Sequence, residues 1–177
     1  MAMTGRIEIT SGDTGWRIAE PLLSAVWPPE AIARLSWRDV VWAHADHRVL
    51  VFDGNDRIVC HVGLFLRMAK WDGRPVRIGG VGGVATREDS RCQGLASLAM
   101  RRAANEFSNV HSVDFALLFC EPHHAPVYQK LGWHAFAGDV FVAQPAGQIR
   151  FVVADPYVLD LRMSPHNGEI DLCGLPW

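Results

Sequence analysis

The stretch Val81-Gly82-Gly83-Val84-Ala85-Thr86-Arg87-Glu88-Asp89-Ser90-Arg91-Cys92-Gln93-Gly94-Leu95-Ala96-Ser97 constrains this chain more than any other. It reads as a buried strand, a short polar turn, and a glycine leading into an amphipathic helix. Leu95, Ala99, Ala103 and Phe107 recur at about one helical turn, which gives that helix an apolar face. A helix start leaves several backbone N–H groups without intrahelical partners, and the aligned peptide dipoles add partial positive charge there. Such a turn suits phosphate oxygens. Gly94 has no Cβ to hold an anion off the backbone, and Ala96 and Ser97 are small enough to keep the approach open. No Gly-Lys-Ser/Thr follows and no GxGxxG stands here, so neither a nucleotide P-loop nor a dinucleotide fingerprint is present.

The rest of the sequence narrows the class. The 177 residues, 49% hydrophobic and 20% charged, suit a single domain over 1–177 with a core that needs no staple. A net charge of −2 argues against a nucleic-acid partner, which would require a basic stripe. No apolar run approaches the roughly 20 residues of a membrane span. Met1 to Asp13 is polar and mixed, without the apolar segment of a signal peptide. Cys60, Cys92, Cys120 and Cys173 match no CxxC or zinc spacing, and are expected as reduced thiols in a cytoplasmic protein. His123 and His124 are adjacent but lack the three or four converging ligands of a metal site, so no metal is expected.

In chain order, Arg6 to Thr10 alternates as a first strand. A helix is expected from Trp16 to about Val26, capped by Asp13 or Thr14 and weakened by Pro21. Trp27 to Glu30 is a loop or the start of a short second helix. Ser36 to Asp46 carries no clear pattern. Trp27, Trp37 and Trp42 crowd this region, as core cover or as walls of a ligand cleft. Strands follow over Arg48 to Phe52, Arg57 to Ala69 and Pro75 to Thr86, separated by the turns Asp53–Asp56 and Asp72-Gly73. The helix from Gly94 to about Ser108 then leads to a buried strand, Val113 to Phe119, paired in parallel through a right-handed crossover. A second crossover helix over Pro122 to Leu131, two final strands over Trp133–Val142 and Arg150–Leu161, and a polar tail complete the chain. The expected class is α/β (α+β): a mixed, mostly antiparallel central sheet flanked by helices.

Arg91-x-x-Gly94-x-Ala96 resembles the pyrophosphate-binding signature of the GNAT superfamily of acyl-CoA-dependent N-acyltransferases. Gly83-Val84-Ala85-Thr86 is similar to that family's central strand, and Tyr128-Gln129-Lys130-Leu131-Gly132-Trp133 to its later Tyr-x-x-x-Gly-aromatic run. The resemblance implies acetyl-CoA as cosubstrate. It would be held by Arg91, Cys92, Gln93, Gly94, Leu95, Ala96 and Ser97, with strand contacts from Val84, Ala85 and Thr86. From about Trp42 onward the chain is further similar to the aminoglycoside 2′-N-acetyltransferases, through Trp42-x-His44, Ile58-Val59-Cys60-His61 and a tail ending in Leu172-Cys173 and Trp177. That family sets a terminal tryptophan and its α-carboxylate against a cationic antibiotic, a role the resemblance carries to Trp177.

The sequence also departs from that family. An acidic residue commonly precedes the family's glycine at Gly83, and here it is Gly82. The acidic residues of the acceptor loop fall near Ser36 and Val41, and a serine-rich segment is replaced by Phe119-Cys120-Glu121-Pro122-His123-His124. A smaller or less cationic aminoglycoside fits these changes, with kasugamycin the leading candidate and antibiotic resistance the implied outcome. Gly82, Gly83, Glu121 and Trp177 are the expected acceptor contacts. Glu30, Asp39 and Asp46 are carboxylates available to hold ammonium groups. A homodimer stays open.

Acetyl transfer needs a neutral amine, and alkyl ammonium groups lose their proton near pH 10. A base, an oxyanion donor and an acid for the leaving thiolate are therefore required. By the tyrosine motif Tyr128 is the expected acid. Glu121, at the C-terminal end of a parallel strand where open α/β sheets place ligands, is the expected base. A strand amide near Val84 would meet the oxyanion. Transfer is expected directly within a ternary complex, with a covalent route through Cys92 or Cys120 the lesser option. The competing readings are acetylation of a protein or polyamine amine, and a non-catalytic acyl-CoA-binding module.

Overall fold

Two long strands, β3 (Ile58–Trp71) and β4 (Arg74–Thr86), carry the architecture. Asp72 and Gly73 close their hairpin with φ of +48° and +75°, the pair of positive angles that a two-residue turn of matching twist demands. The computed structural model describes residues 5–177. Ahead of the hairpin come β1 (Ile7–Ser11), α1 (Gly12–Val26), α2 (Pro29–Ile32) and β2 (His47–Phe52). Behind it come α3 (Leu95–Asn109), β5 (Phe115–Cys120), α4 (Ala125–Gln129), β6 (His134–Ala135), β7 (Ala137–Gln144), β8 (Gly147–Arg150), β9 (Asp155–Asp160) and β10 (Asn167–Asp171). Among the described residues no helix is long and apolar enough to cross a membrane.

One sheet runs in the order β6-β9-β5-β4-β3-β10-β7-β8, with β2 also pairing β3 and β1 pairing β2. Pairing is antiparallel except for β4 with β5 and β10 with β7. This is the mixed, mostly antiparallel sheet expected from the sequence.

The helices cover both faces. Register puts Leu50 opposite His61 and Val51 opposite Cys60, so alternate residues of β2 face opposite sides. Val49 and Val51 share a core with Leu95, Ala99, Met100, Ala103 and Phe107 of α3, the apolar face read from the sequence. Leu50 and Phe52 pack instead on Ala19 of α1. Two adjacent glycines of β4 let large rings reach the sheet from each side. A Cβ at Gly79 would collide with the Phe107 ring, and one at Gly80 with the Trp177 indole. Full burial of each such ring is worth about 1.5–3 kcal/mol or more.

The structure corrects four expectations. Helix α1 starts earlier than Trp16, because Ser11 rather than Asp13 or Thr14 caps it, its Oγ accepting the Thr14 N–H at 3.3 Å. The segment from Pro122 is a 3₁₀ turn (Pro122–His124) followed by the five-residue α4, since neither Pro122 nor Pro126 can donate a helical hydrogen bond. The two final strands are each broken. Phe136 separates β6 from β7 and turns its N–H to Pro156 O, while Phe151 leaves β8 and turns its N–H to Val140 O. The tail read as polar contains β10, whose Ile170, like the following Leu172, is fully buried.

Candidate active site

Beyond the pair Val81–Leu118, β4 and β5 no longer pair, although β4 runs on to Thr86 and β5 to Cys120. Two parallel strands thus diverge at their C-terminal ends, where sheets of this kind leave a ligand crevice. On its other edge β4 bulges. Gly82 pairs Gly63 and Ala85 pairs His61, which leaves Gly83 and Val84 opposite the single residue Val62. Gly83 has φ of +59°, in the left-handed region that glycine reaches without strain.

At the end of β4 the chain turns into α3, as the sequence led one to expect. Gly94 is the N-cap of α3 at φ +77°, with open space where a Cβ would stand. Cys92 is also left-handed, at φ +61°. Helical bonding begins with the Leu98 N–H on Gly94 O, and among the described residues no N–H from Cys92 to Ser97 donates to a protein acceptor. Arg91 is exposed and its Nε reaches back to Thr86 O at 3.4 Å, tying the turn to the strand. Gln93 is exposed beside it, and Ala96 and Ser97 are half-buried. Leu95 is only 8% exposed, so it offers its N–H to a ligand while its side chain belongs to the core. Ala85 is buried, and Val84 and Thr86 are half-buried, on the strand leading into this turn. The turn is therefore a row of unpaired donors at a helix start, able to hold a pyrophosphate.

Tyr128 stands on α4 and packs, half-buried, against the core cluster that contains Cys60 and Cys120. Burial pushes its phenol up to about 12, with further upward contributions from the thiols of Cys120 and Cys60. Cys120 ends β5, and Cys60 pairs Thr86 at the end of β4, so the phenol lies close to both strand ends. At neutral pH it keeps its proton and can donate it. Burial likewise pushes the Cys120 thiol up to about 11, with Asp155 and Glu121 adding, so it is a poor nucleophile. Glu121 follows β5 directly, half-buried, with an oxygen 3.5 Å from His123 Nδ1.

The acceptor half differs from expectation. Trp177 is 5% exposed. Its indole stacks on Phe65 at 5.6 Å and 19°, and donates its N–H to Leu117 O at 3.0 Å. The ring is thus committed to the core and cannot also stack on a sugar. The Trp177 carbonyl carbon lies 2.9 Å from where a Cβ on Gly82 would be, so Gly82 is small because the chain end lies against it. Asp46 is exposed and its Oδ2 accepts the Leu66 N–H at 2.7 Å, which ties its side chain to β3. Leu66 is three residues along β3 from Gly63, Gly82's partner, which puts Asp46 about 10 Å down the sheet from the gap. Asp39 pairs with its neighbour Arg38 at 3.4 Å, and Glu30 is exposed on α2. Of the expected acceptor contacts, Gly82, Gly83 and Glu121 flank the gap.

Sequence reasoning left undecided what surrounds the gap on this face. Half-buried Phe119, one residue past the last β4–β5 pair, touches Phe151 at 4.5 Å and Trp177 at 6.4 Å, and Phe151 meets the edge of Trp42 at 6.0 Å. The aromatic row joins four separate segments, so no local spacing announces it. Also unread was the buried pair of Arg48 and His61. The Arg48 Nη1 lies 2.9 Å from His61 Nε2, and His61 Nδ1 lies 2.7 Å from Gly83 O at the bulge. The signal was present as a histidine inside the apolar run Val59-Cys60-His61-Val62.

Two other clusters stand outside these contacts. Glu121 with His123 and His124, and His134 with Asp160 and His166, each bring three groups within reach of one metal ion. In the second, Asp160 already accepts from His134 at 2.7 Å and from the Ser164 hydroxyl at 2.7 Å. A hollow of about 320 Å³ lined by Phe136, Asp139, Arg150, Phe151 and Pro156 includes none of the turn residues.

Residues 13–136 match a family model described as an acetyltransferase (GNAT) domain. No curated protein matches the chain at a significant level. Among solved structures, the GNAT family N-acetyltransferase YhbS from Escherichia coli, in complex with CoA, superposes with a TM-score of 0.59 at 13% identity, over 97% of this chain and 91% of that one. Escherichia coli ElaA gives 0.62 at 13% identity, over 89% and 100%. A fungal GCN5-related glucosamine N-acetyltransferase region, part of a multi-domain β-N-acetylglucosaminidase, gives 0.55 at 12% identity, over 76% of this chain and 17% of that one.

Proposed function

Because the chain belongs to the acetyltransferase (GNAT) family, whose reaction is N-acetyl transfer from acetyl-CoA, we propose that it acetylates the amine of an amino sugar: an aminoglycoside of low charge, with the 2′-amino group of kasugamycin the leading candidate. Acetyl-CoA lies with its pyrophosphate on the turn from Arg91 to Ser97 and its thioester in the gap between β4 and β5. The amine attacks the thioester carbon, the oxyanion meets the Val84 N–H, and the C–S bond breaks as the CoA sulfur takes the Tyr128 proton. Glu121, directly or through a water, receives the proton that the attacking nitrogen loses.

The observation that carries this reading is the pair of half-buried rings Trp42 and Phe119, joined through the buried Phe151 beside the gap, with the carboxylate of Glu121 at the end of β5. Apolar sugar faces stack on aromatic rings, and a cationic amine is drawn to them. The fold accommodates amino-sugar chemistry elsewhere, as in the fungal glucosamine N-acetyltransferase region.

The test is CoA-thiol release from acetyl-CoA with a panel of amines: kasugamycin, gentamicin, glucosamine, spermidine and a peptide with a free N-terminus. Kasugamycin should have the highest kcat/KM and gain one acetyl group by mass. Higher kcat/KM for spermidine or the peptide would replace the acceptor. Acetyl-CoA binding with no thiol release from any amine would make the domain a binding module.

A further inference from the structure

His61 is 1% exposed and carries two polar contacts. Arg48 Nη1 approaches Nε2 at 2.9 Å, and Gly83 O approaches Nδ1 at 2.7 Å. An arginine has only donors, so Nε2 must accept, and the single proton of the neutral ring must sit on Nδ1 and be donated to Gly83 O. Arg48 is itself fixed. It is 6% exposed, its Nε donates to Gly12 O at 2.8 Å, and its guanidinium lies over the Trp16 ring of α1 at 5.1 Å. A chain of contacts thus runs from the start of α1 through Arg48 and His61 to the bulge in β4.

What it holds there is a single peptide plane. Gly83 C=O and Val84 N–H belong to the same trans peptide, so they point in opposite directions. Fixing the carbonyl on His61 fixes the direction of the Val84 N–H. Neither Gly83 nor Val84 has a register partner, and Gly83 sits at φ +59°.

We infer that His61 is a positioning residue: oriented by Arg48, it holds the Gly83 carbonyl and so aims the Val84 N–H at the thioester oxygen. This rests on the assignment of that N–H as the oxyanion donor. Removing one oxyanion donor from an enzyme costs about 10²–10³-fold in kcat. Misaiming one should cost about tenfold or more, with the pyrophosphate turn untouched.

Two substitutions of similar size divide the ring's two functions. His61→Asn keeps a donor at the Nδ1 position and loses the Arg48 contact. His61→Gln keeps a group at the Nε2 position and loses the donor to Gly83. The readouts are the infrared stretch of ¹³C-carbonyl acetyl-CoA bound to each protein, its dissociation constant, and kcat. Wild type should lower the stretch relative to free acetyl-CoA. His61→Asn should keep most of that shift and of kcat, and His61→Gln should lose both with the dissociation constant within about twofold. A residue that only fills space would give two variants alike, and equal shifts in both would overturn the inference while leaving the oxyanion assignment standing. No shift in wild type would overturn the assignment and the inference with it. Imidazole ¹⁵N spectra of the wild type need no variant to fold: a proton on Nδ1 at neutral pH is required, and one on Nε2 alone would contradict it.

Discussion

The two halves of the proposed site at the end of β4 are made of different material. The cofactor half is backbone: consecutive N–H groups from Cys92 to Ser97, two left-handed residues, and a helix start. The proposed acceptor half is side chains brought from the segment before β2, from β5 and from the residues after β8, with Trp42, Phe151 and Phe119 linked in a row that ends on the buried Trp177. A backbone site depends on where a glycine falls and tolerates most neighbours. A side-chain site depends on which residues meet, and can be rebuilt while the sheet stays the same.

The largest expected effect lies where the halves meet. Tyr128→Phe removes the proposed proton donor while leaving the ring in place, and should lower kcat by about 10²–10⁴-fold. Acetyl-CoA affinity by calorimetry should not change. A variant with full turnover would leave water as the acid and detach α4 from the chemistry.

Trp177 separates the halves by a different measure. A surface aromatic would alter only the acceptor KM when truncated. A buried, hydrogen-bonded indole should instead cost about 3–5 kcal/mol of stability in Trp177→Ala, read by chemical denaturation. Unchanged stability would return the ring to a ligand-facing role.

The Arg48–His61 link should make the fold sensitive to acid. Burial, with Arg48 adding, lowers His61 from its usual 6.5 to about 4, against the smaller opposing pull of Gly83 O. Between these values the unfolded chain binds a proton that the folded chain does not. The contribution is therefore complete above about pH 6.5 and is lost as pH falls toward 4, up to about 3 kcal/mol. Denaturation midpoints at pH 7.5 and 5 should differ in wild type and differ less in His61→Asn. Equal pH slopes in the two would contradict this.

The smallest effect tests the backbone half alone. Gly94→Val forces a branched residue to φ +77° and puts its methyls into the open space over the turn. Acetyl-CoA should bind about tenfold or more weakly, a loss of about 1.4 kcal/mol or more, because the methyls stand where a pyrophosphate would approach the unpaired N–H groups. Affinity equal to wild type in the folded variant would move the pyrophosphate elsewhere.

The same contrast explains what the sequence made legible. The β3–β4 hairpin, the anion turn and the α3 face were readable because Asp72-Gly73, Gly94 and the spacing of Leu95, Ala99, Ala103 and Phe107 act locally. Strand β10 was not, because Ile170 and Leu172 are buried only once β3 and β7 are present to receive them. The role of Asp46 turned on a backbone N–H twenty residues away, at Leu66. Trp177 could be read as core cover or as ligand wall until Gly80 and Leu117 O were seen to accept it.

The proposed direct transfer requires both halves to be occupied at once, and the buried Cys120 thiol, its ionisation pushed up to about 11, argues against a covalent route through it. The most direct measurement is a matrix of initial rates over acetyl-CoA and the best amine of the panel. Ternary-complex transfer gives double-reciprocal lines that intersect. Parallel lines, with an acetylated protein trapped in the absence of amine, would contradict it and put a cysteine into the reaction.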